Sequence, residues 1–121
     1  MDASDLPTRS VPAAPPPASL FDTLPEPLLR FDAHLHIVYA NGALERALML
    51  GRRSLLGRRM GEVDALASYA AHWEQQLGEL LQTEEERWFK FRYDHPLGGR
   101  HFDVRLLHER DERAPHVTAL L

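Results

Sequence analysis

Two residue pairs in this chain have the spacing of metal ligands. His34 and His36, and His101 and Asp103, are each two residues apart, which places both groups on one face wherever the backbone is extended. His34 falls in a turn, however, and the second pair is expected on the solvent face of a strand, so no metal is assigned. His95 and His116 are expected in solvated positions, one in a turn and one near a strand start. Tyr69, His72 and Trp73 form a tighter group that sets polar tips on or beside an apolar stripe. Together with Asp103, Tyr69 and His72 are the acid–base groups that a small cavity enzyme could use. Asp103 and Glu109 lack a partner histidine or second carboxylate on a buried face, and no nucleophile motif is present. Arg52, Arg53, Arg58 and Arg59 make the basic cluster. Ser54 and Gly57 offer backbone N–H groups beside it, but there is no P-loop and no glycine-rich dinucleotide fingerprint. A solvated face pairing with Glu62, Asp64 or Glu84–Glu86 is therefore expected there.

Whole classes of chemistry are excluded by composition. The chain has no cysteine, which removes disulfides, thiolate zinc sites, iron–sulfur clusters and thiol nucleophiles. A formal charge of −4 argues against a surface built to neutralise phosphates, so nucleic acid is not an expected partner. No apolar run approaches the roughly 20 residues of a membrane span. Residues Met1–Ser10 carry Asp2 and Asp5 against a single Arg9, unlike a basic signal segment, and a cytoplasmic location is expected. With 121 residues, 44% hydrophobic and 26% charged, one domain with one core is expected.

The elements that would position these groups follow from periodicity and punctuation. Residues 1–18 hold Pro7, Pro12, Pro15, Pro16 and Pro17 among small and polar neighbours, the composition of a disordered tail that cannot offset its ordering entropy. The domain is expected over 19–121, opening with Ser19 as N-cap of a short helix Leu20–Leu24 that Pro25 and Pro27 stop. Leu28–Phe31 reads as a strand, Asp32–His34 as a turn whose aspartate bonds the backbone ahead, and Ile37–Ala40 as a second strand. Asn41-Gly42 could be a hairpin turn, but Leu44, Ala47 and Leu48 repeat at helical spacing. Asn41 is therefore an N-cap, with Gly51 ending the helix. Ser54 is expected to cap a further helical turn carrying Leu55 and Leu56. Val63, Leu66, Ala70, Trp73, Leu77 and Leu80 step by three and four, one apolar stripe on a helix of about 18 residues near Asp64–Gln82. Phe89, Phe91 and Tyr93 alternate with Trp88, Lys90 and Arg92 in a half-buried strand. Asp94–Gly99 is a turn, Phe102, Val104 and Leu106 mark a fourth strand, Asp111–Pro115 a turn, and His116–Leu121 a fifth strand.

This order, with Leu24-Pro-Glu-Pro before the first strand, Asp32 at the first turn, Tyr39-Ala-Asn41 closing the second strand and Leu56-Gly57-Arg58 before the long helix, resembles the PAS family over Ser19–Leu121. The resemblance implies an α+β fold: a five-stranded antiparallel sheet with helices packed on one face. Leu35 departs from it, since many members place glycine there, so this turn is expected to use another geometry or a longer excursion. Asp32 and Asn41 take structural roles.

The resemblance also implies a non-enzymatic sensory or dimerisation domain, placed upstream of a histidine kinase, cyclase or transcription regulator. The output module is expected beyond Leu121, because the junction that often follows the last strand is not reached. The alternative is a small α+β cone-fold enzyme with an acid–base pair in its cavity. A ligand would sit between sheet and helices, against Leu29, Phe31, Leu44, Leu48, Leu56, Met60, Leu66, Tyr69, His72, Trp73, Phe89, Phe91, Phe102 and Val104. Ordinary core packing would explain any one of these residues alone. Some haem-binding members carry their iron ligand on the long helix, which implies His72 as a candidate axial ligand. Without cysteine, cysteinyl-flavin and thioester chromophores are excluded. Trp88, Leu107 and the Leu20–Phe21 helix could present an outer apolar surface, from which a homodimer is expected.

Overall fold

A computed structural model describes residues 24–109 and 116–121. The short helix expected to begin at Ser19 and the turn at Asp111–Pro115 fall outside the described residues. Within them, five strands form one antiparallel sheet: β1 (Leu28–Phe31), β2 (Ile37–Ala40), β3 (Arg87–His95), β4 (Gly98–Glu109) and β5 (His116–Leu120). The spatial order is β2-β1-β5-β4-β3, so the last strand lies between the front pair and the back pair. Two helices, α1 (Gly42–Leu48) and α2 (Ala70–Thr83), join the halves, with 3₁₀ turns at Arg52–Ser54, Met60–Glu62 and Ala67–Tyr69.

Burial separates the two sides of the sheet. Leu29, Phe31, Val104, Leu106, Val117 and Ala119 point to one side, where Leu44, Leu48, Leu66, Trp73, Leu77 and Leu80 close over them in a single cluster. The other side carries charge. Arg30 on β1 makes two hydrogen bonds to Glu109 on β4, of 3.1 and 3.0 Å, and the Thr118 hydroxyl of the intervening β5 donates to the same carboxylate. This fork ties three strands together across 79 residues of sequence.

Asn41 is the pivot between strand and helix, and it is wholly buried. Its side-chain oxygen accepts from the Leu44 N–H at 2.9 Å, which caps α1, and from the Leu28 N–H at 3.0 Å. Its amide donates to the Glu26 carbonyl at 2.9 Å. The carboxamide therefore starts the helix and fixes the entry of the first strand in one stroke.

The structure revises several local expectations. Helix α1 ends at Leu48 rather than at Gly51, because Met49 adopts the left-handed conformation (φ 54°) and donates its N–H to the Glu45 carbonyl. Ser54 closes a 3₁₀ turn instead of opening one, its hydroxyl donating to the Gly51 carbonyl at 2.7 Å. The long helix has 14 residues rather than about 18. Ahead of it, Leu66 bonds back to Val63 and Tyr69 to Leu66 by three-residue steps, so the first part of the apolar stripe follows 3₁₀ periodicity. The turn read at Asp94–Gly99 shrinks to Pro96-Leu97, since β3 runs to His95 and β4 starts at Gly98, whose φ of 128° only glycine adopts freely. Leu35 does take the left-handed conformation (φ 69°), so the first turn keeps the geometry that glycine would favour. Asp32 enforces it, accepting from the N–H groups of His34 and His36 at 2.9 Å each.

Asn41→Ala should lower stability by about 2–4 kcal/mol, combining a lost cap with a buried Leu28 N–H left without a partner. Asn41→Asp should recover part of that loss; urea denaturation of both variants checks this. Met49 is half exposed in its left-handed position, so Met49→Gly should raise stability by up to about 1 kcal/mol, read as a higher midpoint of thermal unfolding.

Candidate functional site between helix α2 and the sheet

Helix α2 lies along the concave side of the sheet and presents Trp73 to a ring of aromatics. The Trp73 indole meets Phe89 and Phe91 edge-on, at 5.1 and 5.3 Å between centroids, and lies 6.1 Å from Phe31. Tyr69 packs edge-on against Phe91 at 5.1 Å, and Phe102 stacks on Phe91 at 6.1 Å. Perpendicular contacts of this kind suit the ring quadrupole and fix orientation as well as burying area. The indole N–H of Trp73, within this cluster and almost fully buried, has no hydrogen-bond partner among the described residues.

Phe31, Leu44, Leu48, Met60, Leu66, Trp73, Phe91 and Val104 are brought together in the buried core, as is Leu29. Tyr69, Phe89 and Phe102 pack against it from partly exposed positions. His72 does not join them: it is exposed on α2, its ring edge-on to Phe89 at 5.1 Å. Leu56 is also exposed. Two residues outside the expected set adjoin this cluster, Tyr93 within it and His95 beside Tyr93. The Tyr93 hydroxyl donates to the Leu48 carbonyl at 2.9 Å, anchoring β3 to the end of α1. His95 is buried at the hairpin end, its Nδ1 accepting from the Leu97 N–H at 3.0 Å while Nε2 has no partner among the described residues. Their signal was the alternation Phe89, Phe91, Tyr93, His95, which a turn starting at Asp94 interrupts.

Acid–base groups are scattered. Asp103 faces the opposite side of the sheet from Tyr69 and His72, and bonds to the Lys90 ammonium at 3.0 Å. The Tyr69 hydroxyl accepts from the Asp94 N–H at 2.9 Å. Glu109 is engaged by Arg30 and Thr118. For Asp32, burial raises the carboxyl pKa, but the His36 and His34 N–H groups and the charge of both imidazoles outweigh it and hold it below the ordinary value.

The basic cluster has found other partners than those expected. Arg52 bonds to Glu45, and Arg59 to Glu74, while the Arg59 N–H donates to Glu62. The Gly57 and Ser54 N–H groups are taken by the Ile37 and Gly51 carbonyls, which removes the anion cradle suggested by their spacing. A cleft of about 340 Å³ remains here, lined by Leu50, Ser54, Arg58 and Glu62 among others, with both charge signs at its walls. No cluster of three potential metal ligands occurs among the described residues.

Comparison with known proteins places the fold. The family described as PAS fold matches residues 21–119, and the chain belongs to it. Among solved structures, a PAS domain of a two-component sensor histidine kinase superposes with a TM-score of 0.62 at 22% identity, covering 85% of this chain and 88% of that one. The photoactive yellow protein domain of the sensor histidine kinase Ppr from Rhodospirillum centenum gives 0.69 at 14%, covering 85% and 91%. The VqmA dimer of Vibrio cholerae gives 0.74 at 24%, with 84% of this chain matching 47% of VqmA, about half its length. No curated protein matches in sequence.

Burial raises the Tyr93 pKa above its ordinary value, with the neighbouring Tyr69 adding to it. Because the fold favours the neutral phenol, this stability is fully present below about pH 10 and is lost as pH rises through the higher folded value. An ultraviolet titration should show one late-ionising tyrosine, and Tyr93→Phe should abolish that phase while costing about 1–2 kcal/mol through the unpaired Leu48 carbonyl.

Proposed function

We propose that this domain is a non-enzymatic sensor: a small molecule enters between α2 and the sheet, and the altered packing is passed to an output module in the same polypeptide. The observation that carries this reading is the Trp73 indole N–H, a buried donor in an aromatic enclosure with no acceptor among the described residues. A ligand acceptor oxygen would satisfy it, at a site lined by Phe31, Leu44, Leu48, Met60, Leu66, Tyr69, Trp73, Phe89, Phe91, Phe102 and Val104. His72 stands at the rim, over Phe89, rather than in the enclosure. The family supports a sensory role rather than catalysis, and the separation of Asp103 from Tyr69 and His72 speaks against the cone-fold enzyme. A histidine kinase, cyclase or transcription regulator would be the output, in the cytoplasm. Among the described residues no helix is long and apolar enough to cross a membrane.

A second reading, dimerisation without a ligand, draws on the outer face of the sheet. Trp88 is largely exposed there, with the Arg105 guanidinium 5.4 Å over its ring, and Leu107 lies on the same side. VqmA, a structural relative, is a dimer.

Small molecules released from natively purified protein and identified by mass spectrometry should include a compound that quenches or shifts Trp73 emission on re-addition. Trp73→Phe should weaken its binding by about tenfold, the worth of one buried hydrogen bond. An empty interior together with a dimer by light scattering would instead establish the second reading.

A further inference from the structure

Strand β3 forms one edge of the sheet, and among the described residues no strand or loop covers it as one covers the other edge. At β2 the Ile37 N–H donates to the Arg58 carbonyl at 2.8 Å and the Gly57 N–H to the Ile37 carbonyl at 2.7 Å, so a loop covers that strand. On β3 the two-residue turn at Pro96-Leu97 makes His95 and Gly98 a hydrogen-bonded pair. Alternation then turns the N–H and C=O of Asp94, Arg92, Lys90 and Trp88 away from β4. The Asp94 N–H confirms this phase, because it donates to the Tyr69 hydroxyl instead of to a strand. Three successive edge-facing residues, Arg92, Lys90 and Trp88, have no backbone partner on that side among the described residues.

Their side chains say what could pair with them. A cleft of about 270 Å³ opens between Trp88, Phe89, Lys90 and Asp103, roomy enough to admit an apolar side chain. Lys90 is already neutralised by Asp103. Arg92 is not: its guanidinium lies across Gly99, 3.6 Å from where a Cβ would stand, and no carboxylate bonds to it among the described residues. A second copy pairing two-fold about Phe91 sets Lys90 against Arg92, and one about Lys90 sets the lysines against each other, whereas the register about Phe89 sets Arg92 against Glu86; self-association is therefore an outcome the test must separate from a foreign strand.

We propose that β3 receives an extended acidic segment of a partner protein as a sixth strand. Main-chain hydrogen bonds form to Trp88, Lys90 and Arg92, an apolar side chain enters the Trp88–Lys90 cleft, and a carboxylate pairs with Arg92. The mode is distinct from the ligand site, since Trp88, Lys90 and Arg92 point to the opposite face of the sheet from Trp73, and Phe89 alone borders both.

The test titrates isotopically labelled protein with an end-blocked peptide of threonines, carrying valine at two alternate positions and glutamate at the next. Amide exchange at Trp88, Lys90 and Arg92 should slow, and Arg92→Glu should weaken binding by about three- to tenfold, while Arg92→Lys retains it. The proposal is overturned if a peptide N-methylated at alternate backbone positions binds equally well, or if lysine in place of glutamate makes no difference. It fails equally if β3 resonances do not move at millimolar peptide, or if light scattering shows that β3 is protected by self-association.

Discussion

One buried carboxamide holds the architecture in place. A sheet built from two separated pieces of chain needs a fixed angle between its first strands and the helical segment that follows, and Asn41 supplies it by bonding Leu28, Glu26 and Leu44 at once. Among the short polar residues only asparagine carries its acceptor and its donor on separate atoms, with no charge to desolvate. With β1 and α1 locked together, Leu44 and Leu48 must lie over Leu29 and Phe31, and the remaining helix has only the concave side left to cover.

The aromatic layer depends on that placement. Trp73 touches residues from β1 and β3, so its position reports how both halves of the sheet curve beneath α2. Tyr93 and Tyr69 then pin the far end of β3, one to the end of α1 and the other to the edge backbone. A change in the packing of α2 would therefore be felt at β3, and through the β3–β4 hairpin at the strand between β1 and β4.

Much of this was legible in the sequence, because period and punctuation record burial. The five strands, the Asn41 cap, the Asp32 turn and the apolar stripe from Val63 to Leu80 all follow from residue spacing. The misread places share a cause. Met49, Leu35 and Glu84 take left-handed backbone conformations without being glycine, so the helix end moved off Gly51 and the first turn kept its shape with leucine. Three-residue turns imitate a helical stripe, which lengthened α2 on paper. Charge pairing was least readable of all: the Arg59 guanidinium chose Glu74 over the nearer Glu62 and Asp64, because partners are set by tertiary approach rather than by proximity along the chain. For His72, helical phase placed it one step off the stripe, beside Trp73, and that step is the difference between core and rim.

The position of β5 between β1 and β4 bears on how the molecule comes into being. Leu28 pairs with Leu120, and Phe31 with Val117, so the front hairpin can join the back hairpin only through the last of the five strands in chain order. Such distant pairing slows folding, because loop closure comes before the contacts that reward it. While the ribosome still shelters β5, the nascent front and back halves have no shared strand between them. During that interval β1 and β4 each bare the edge that β5 will cover, the moment when a chaperone has most to offer this chain.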